Sequence, residues 1–463
     1  LSRRFKTKLE DMPGFAHVPV GILGPYACQD VCLTLMHAAE MDPLIDSSGQ
    51  RAVYETEIAL LQHLVDMEEF GLPVDREFVG RLKAEFAAKE ADLRARLFDA
   101  IGEVIDPNRD EELRRIFYGK LGLPVGRRTG KLREPSTDKY ALADLAKACP
   151  AAQIEIDRRQ AAYLLSHYTD GLLEFCDAAG VCHGSFNQIA AVSGRVGCSN
   201  PNLHNIPVRT AEGRRIREAF VVRGRGWIRC MFDYSQIELR VLAWFSRDPV
   251  LVDAFMRGVD IHRVTAAGLF KVPIADVTKE QRYKGKTCNF ALRYGQQSKK
   301  MALTTGYSEP ECVEMIREFW STYAVTKKFI DGFVRRTKLE GCKFRNPFGR
   351  IRRVPDLESK SNYARGEAER SAIASLISGT AADLMKIAMV RCCDYMREVG
   401  GGGIVTTIHD DLQFDFRREG GVAERVLGIK RRMEDFPQFQ PIPIVVDPQW
   451  TETNWVGAKE LKL

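Results

Sequence analysis

The segment Asp233-Tyr234-Ser235-Gln236-Ile237-Glu238-Leu239-Arg240 decides how this chain reads. It follows Trp227-Ile228-Arg229-Cys230-Met231-Phe232, a largely apolar run that reads as a buried strand. Asp233 therefore stands at a strand end, with a helix expected to start just after it. Such a position holds a carboxylate rigidly at the floor of a cleft, ready for a metal ion. A second carboxylate of the same kind occurs in His409-Asp410-Asp411. There Ile404–Ile408 and Asp411–Phe416 read as a β-hairpin with an acidic tip, and Leu412, Phe414 and Phe416 alternate along its second strand. If the two strand ends are neighbours, Asp233 and Asp410 converge. Two carboxylates completed by substrate phosphates and water suit Mg²⁺, with Mn²⁺ as a substitute. A pair of such ions roughly 4 Å apart activates an attacking hydroxyl and stabilises a leaving oxygen. For Asp233 taken alone, a turn residue at a strand end is the plain alternative.

Ser235-Gln236-Ile237-Glu238 fits the Ser-x-x-Glu capping box. Glu238 also lies one helical turn from the expected metal site, where a carboxylate would crowd the sugar of an incoming nucleotide. Both readings stay open. Arg282, Lys286, Phe290 and Tyr294 recur at steps of four. Each step drifts about 40° around a helix, so they form a slanting stripe on one face. Gly295 is a fitting stop for that helix. Two cations followed by two rings suit a triphosphate at one end and a stacked base at the other. A basic surface stripe with two core-anchoring rings is the alternative. His262, near an expected helix start, is ordinarily a packed or capping residue. Ser193-Gly194-Arg195 and Asn202-Leu203-His204-Asn205-Ile206-Pro207 form a polar turn from which an arginine would reach a minor groove.

A chain of 463 residues is too long for one core, so about three domains are expected. Its 45 % hydrophobic and 28 % charged content is ordinary for a globular protein. No continuous apolar run reaches bilayer-spanning length, and no signal-peptide pattern opens the chain. The first residue is Leu1, and an excerpt of a longer protein is expected. The 12 cysteines lack zinc-site spacing and read as reduced core thiols. The net charge of +6 is mild, but its distribution is uneven. Residues 114–133 hold seven Lys or Arg and no acid, and residues 341–353 hold five and none. Clustered cations are the footprint of a phosphate-backbone binder, or else solvated loops. A helical stretch is expected near Ala27–Glu40, and another helix from Arg51 to about Gly71. Asp75 reads as the N-cap of a long helix to about Ile101, with Val79, Leu82, Phe86, Leu93 and Leu97 on its apolar face. With a further helical region at 138–177, this makes a helical arm with a cationic tip. Residues 246–340 read as helical, 341–355 as a basic hairpin and 362–398 as one long helix.

Taken together and in this order, these segments resemble the family A DNA polymerases, related to bacterial DNA polymerase I and bacteriophage replicases. Residues 233–240 resemble the family's motif A. Arg282-x3-Lys286-x3-Phe290-x3-Tyr294-Gly295 resembles motif B, and Ile408-His409-Asp410-Asp411 motif C. The resemblance covers nearly the whole chain. It implies an α+β, multidomain, right-hand fold. The hand comprises a thumb at 51–165, a palm at 166–245 and 341–463, and fingers at 246–340. It implies attack of a primer 3′-hydroxyl on the α-phosphate of a dNTP, with Asp233 and Asp410 holding two Mg²⁺ ions and Asp411 beside them. Arg282, Lys286, His262 and Gln236 would meet the nucleotide, and Lys286 could protonate the departing pyrophosphate. Phe290 would stack on sugar and base, Tyr294 would gate the templating position, and Glu238 would exclude a 2′-hydroxyl. Arg195, Asn202, His204, Arg370 and His409 would touch primer-template, with Arg127 and Arg128 gripping duplex phosphates.

Four positions depart from the family pattern. Asp411 stands for the usual Glu, Ser378 and His204 for Gln, and Ala374 for Asn, so thinner minor-groove contacts are expected. Tyr26 and Asp30 resemble the Tyr-x3-Asp end of a 3′–5′ exonuclease site whose other acids do not precede them. Residues 1–50 are therefore expected to be the remnant of such a domain, without proofreading. The implied partners are primer-template DNA and dNTPs, with no membrane, no processivity factor identified and a monomeric state. The implied setting is the cytoplasm of a bacterial or phage-infected cell, with an organelle as the other option. Two other readings are a single-subunit RNA polymerase, against which Glu238 and Phe290 argue, and an inactive DNA-binding accessory protein.

Overall fold

The structure, a computed structural model, describes residues 18–130, 132–206, 210–292 and 295–461. Tyr294 of the stripe, Lys131 of the basic loop and Pro207 of the polar turn lie outside the described residues. Helix α1, Val20–Ser47, is longer than expected and carries Tyr26 and Asp30. None of its residues is buried, although Val31, Leu35 and Met36 lie along it.

Helix α2, Arg51–Phe70, stops at Gly71, whose φ of 64° suits glycine. Helix α3, Arg76–Ile101, starts where the sequence says, because the Asp75 carboxylate accepts from the Phe78 N–H at 2.9 Å. Its buried residues include Val79, Leu82, Phe86, Leu93 and Leu97. They pack mainly on α5, Pro150–Leu165, which also meets α4, Lys139–Ala146. The distal end of α3 builds a second core with Leu113, Phe117, Leu142 and Leu145, separate from the main one.

The cationic tip is less free than the local charge count implies. Arg114 pairs with Glu134, Arg115 with Glu103 and Glu112, and Lys120 with Glu103. All of these acids, Glu103, Glu112 and Glu134, lie outside the 114–133 window, so a linear count cannot see them. Arg127 lies over the Tyr140 ring, and Arg128 donates to the Arg133 carbonyl. The second cluster does form a hairpin, Lys343–Arg345 with Ile351–Arg353. Two of its cations are bonded to other parts of the fold. Arg345 donates to the carbonyls of Ser48 and Gly49, and Arg350 pairs with Glu57 and Asp383.

Five antiparallel strands make the central sheet: β1 Trp227–Tyr234, β2 Gly402–Ile408, β3 Asp411–Arg417, β4 Val446–Thr451 and β5 Lys459–Glu460. Their order is β5-β4-β1-β3-β2. Strand β1 is central and covered on both faces. That explains its unbroken buried run from Ile228 to Phe232 where a half-exposed strand would alternate. Helix α6, Ile237–Ser246, leaves β1 directly. Helices α7 Ile261–Phe270, α8 Lys279–Leu292, α9 Glu309–Thr322 and α10 Ala324–Leu339 fill the expected helical region. Helix α11, Asn362–Val399, packs against α2, α6, β2 and α12, Val422–Glu434. By length and composition alone α11 could cross a membrane. Yet 78 % of its apolar window is buried inside the fold, as befits a core helix.

Candidate active site

The sheet register builds the acidic centre. Asp233 on β1 is directly opposite Asp411 on β3 and opposite Asp447 on β4. Directly opposed residues of antiparallel strands point to the same face, so three aspartates form a row across the sheet. Asp410 joins them from the two-residue turn between β2 and β3, where Ile408 pairs with Asp411. The Asp410 carbonyl accepts from the Tyr234 N–H at 3.0 Å, which ties that turn to the end of β1.

Like charges opposed across strands destabilise a sheet unless something neutralises them. Asp233 opens onto the cleft, yet the surrounding protein strips enough water from it to raise its carboxyl to about 7, helped by Asp411, Asp410 and Asp447. Burial likewise raises Asp411 to about 6. Gln413 donates to Asp411 Oδ2 at 2.6 Å, while Asp411 Oδ1 has no hydrogen-bond partner. Hard oxygen donors with excess negative charge fit a divalent cation. Among the described residues, no group of three or more His, Cys, Asp or Glu side chains closes a metal cage. An ion here would thus rely on Asp233, Asp410, water and substrate oxygens, as Mg²⁺ tolerates.

Two backbone positions carry strain beside these acids. Gln236 has φ 54° and His409 has φ 57°, left-handed values unusual outside glycine and asparagine. Gln236, not Ser235, caps α6, and the Ser235 N–H already donates to the Val445 carbonyl. The capping box is therefore not formed. The one-residue shift places Glu238 second in the helix, where its carboxylate turns outward to other donors. Glu238 Oε1 accepts from Arg195 Nη2 at 2.8 Å and from Ser378 Oγ at 2.7 Å. Arg195 is also 3.7 Å from Asp410 Oδ1.

Facing the acids is the exposed stripe of α8. Gly285 lets it approach α7, since a Cβ there would meet the His262 carbonyl at 2.4 Å. Arg282 pairs with Asp260 at 2.5 Å, and Asp260 also caps α7 through the His262 N–H. Lys286 lies 5.8 Å from the Phe290 ring centroid, and Phe290 is 49 % exposed, which rules out a core anchor. His262 is buried, its ring beside Phe290 and its Nδ1 within 2.9 Å of Asn289 Nδ2. Burial lowers it to about 4, so it is neutral at physiological pH.

Acids and stripe line one cleft of about 590 Å³, shared by Arg195, Asp233, Gln236, Glu238, His262, Arg282, Lys286, Phe290, His409 and Asp410. Arg370 lies outside it, in another cavity that is also lined by Gly295 and Trp320. His204 donates from Nε2 to the Thr407 carbonyl at 2.7 Å, and burial lowers its pKa to about 4. Asn202 is exposed beside it. Arg127 and Arg128 belong to the distal arm, and Tyr26 and Asp30 to α1. Sequence reasoning missed Asp447, Asp260, Asn289 and the Ser378–Glu238 bond. Asp260 before an expected helix was the one visible signal, as an N-cap.

The acids thus line the strand ends of a five-stranded antiparallel sheet and are faced by a cation-and-ring helix, in an α+β fold. Residues 76–456 match DNA polymerase family A. The DNA polymerase I of Pseudomonas aeruginosa is 34 % identical over 467 aligned positions, covering 97 % of this chain and 50 % of that protein. The Chloroflexus aurantiacus DNA polymerase I is 36 % identical, over 88 % of this chain and 44 % of that protein. A solved structure, the POL domain of Pol1 from M. smegmatis in complex with DNA primer-template and dNTP, superposes with a TM-score of 0.83 at 31 % identity. It covers 91 % of this chain and 74 % of that one. The chain belongs to DNA polymerase family A, and it spans about half the length of the curated relatives it matches.

Proposed function

We propose that this chain is a DNA-directed DNA polymerase that extends a primer 3′-hydroxyl with dNTPs. The observation that carries the reading is the single cleft between the acidic sheet edge and the α8 stripe. In it, Asp233 and Asp410 would hold two Mg²⁺ ions, or Mn²⁺. When bound, these supply activation of the hydroxyl and charge neutralisation at the phosphate. Arg282 and Lys286 bind the triphosphate, with His262 as a neutral hydrogen-bond donor. Lys286 passes a proton to the departing pyrophosphate. Phe290, exposed and flanked by Lys286, stacks on the sugar and base, and Glu238 excludes a 2′-hydroxyl.

In this reading the hand takes the domain limits expected from sequence. The two-core helical arm at 51–165 is the thumb, 246–340 the fingers, and the sheet with its helices the palm. Arg127, Arg128, Arg195, Asn202, His204, Arg370 and His409 contact primer-template. Proofreading is no part of the proposal, since Tyr26 and Asp30 stand on α1, where no residue is buried. The enzyme acts as a monomer in the cytoplasm of a bacterial or phage-infected cell. Metal-dependent primer extension with dNTPs and with rNTPs tests this: dNTP-dependent elongation is expected, and preferential rNTP use would overturn it.

A further inference from the structure

We propose that Ser378 is a positioning residue for sugar discrimination, fixing the Glu238 carboxylate that excludes ribonucleoside triphosphates. The inference rests on the gate role given to Glu238 above. Two donors meet on one oxygen: Arg195 Nη2 at 2.8 Å and Ser378 Oγ at 2.7 Å, both to Glu238 Oε1. A glutamate side chain has three torsions, and as a gate it works only if the carboxylate stays where the 2′-hydroxyl would come. Hydrogen bonds to an ionised group are the stronger kind and restrict those torsions.

The two donors differ in what else they do. Arg195 is 30 % exposed in its side chain and stands 3.7 Å from Asp410. Its guanidinium is divided between the gate and the metal-site carboxylate, and the proposed DNA contact competes for it as well. Ser378 has no such freedom. It is 6 % exposed, in the middle of the core helix α11. Next to it, Gly379 brings α11 against the 193–195 loop, where a Cβ would lie 3.3 Å from the Ser193 carbonyl. Helix and loop therefore place both donors together, and Ser378 is the one that keeps its position when Arg195 turns to primer-template. A serine that reads as a lost DNA contact in the sequence thus has a different job in the fold.

The test compares kcat/KM for rNTP and dNTP incorporation in the whole chain. Ser378→Ala is expected to reduce discrimination against rNTPs by roughly tenfold, through a higher rNTP kcat/KM. Ser378→Thr, which keeps the hydroxyl, should retain most of the discrimination. Glu238→Ala should loosen it further, and adding Ser378→Ala to Glu238→Ala should loosen it no more. Unchanged discrimination in Ser378→Ala beside a loosened Glu238→Ala would overturn the positioning role and leave the gate standing. Additive effects in the double variant would overturn it too, because Ser378 would then act apart from Glu238. If Glu238→Ala itself discriminates normally, the gate reading fails and this inference fails with it.

Discussion

Strands β1 and β3 run side by side, and their two ends treat charge in opposite ways. At one end Arg229 opposes Asp415, and Asp415 accepts from Nε at 2.8 Å and Nη2 at 3.1 Å with both side chains 0 % exposed. Four residues along the same strands, Asp233 opposes Asp411, like against like, with Asp447 and Asp410 close by. The first pair is internally compensated, and breaking it leaves a buried charge alone. The second group is compensated by nothing within the row itself. A fold that neutralises charge at one end and concentrates it at the other supports the proposal that the second end takes a cation.

Removing the acids should separate the two ends most sharply. Asp233→Ala or Asp410→Ala is expected to lower primer extension by at least roughly 10³-fold, because several kcal/mol of charge stabilisation go with the ion. Thermal stability should not fall with it. Extension retained in both variants would mean that the acidic end is not the metal site.

Asp415→Ala should do the reverse. It strands the Arg229 guanidinium inside the sheet, at a cost of about 3–5 kcal/mol in unfolding free energy, while the folded fraction still extends primers. A urea-unfolding midpoint unchanged from the parent would show that the pair is not what holds this end.

How much of this contrast could be read beforehand depends on chain distance. Asp233, the hairpin acids, the Arg282–Phe290 part of the stripe and the long helices Arg76–Ile101 and Asn362–Val399 are local patterns, and they stand where the sequence puts them. Of the two readings open for Glu238, the capping box fails because a one-residue shift of the helix start, with Gln236 left-handed, decides whether it closes. The cations of the arm tip were overcounted because Glu103 and Glu134 reach them from outside the window. Ser378 meets Glu238 across 140 residues, and Asp447 joins Asp233 only through the register of β4. No periodicity carries such pairings.

The pH response should also differ between the ends. Asp233 titrates near 7 in the fold against 3.8 for an ordinary aspartate. A raised carboxyl favours the folded state below the unfolded value and loses that advantage as pH rises through the folded one. Without divalent metal, Asp233→Asn should therefore gain melting temperature over the parent as pH rises from about 4 to about 7 and hold the gain above. A proton competes with the cation for the same carboxylate. Added Mg²⁺ should thus raise the parent's melting temperature more at pH 8 than at pH 5.5, and equal shifts would count against Asp233 as a ligand.

The smallest effect is expected at Asp447, an exposed member of the row. Its charge is one of the causes that raise Asp233, after burial, Asp411 and Asp410. Asp447→Asn should lower the Asp233 pKa by a fraction of a unit, since water and salt screen an exposed charge. The acid limb of Mg²⁺-dependent extension, followed at low Mg²⁺, should then move to lower pH, and the shift should shrink as salt is added. Lost charge alone would weaken Mg²⁺ binding at every pH without moving the limb. A limb that stays in place, or moves to higher pH, would show that the row does not act as one electrostatic unit, and the contrast with Arg229–Asp415 would then rest on Asp233, Asp410 and Asp411.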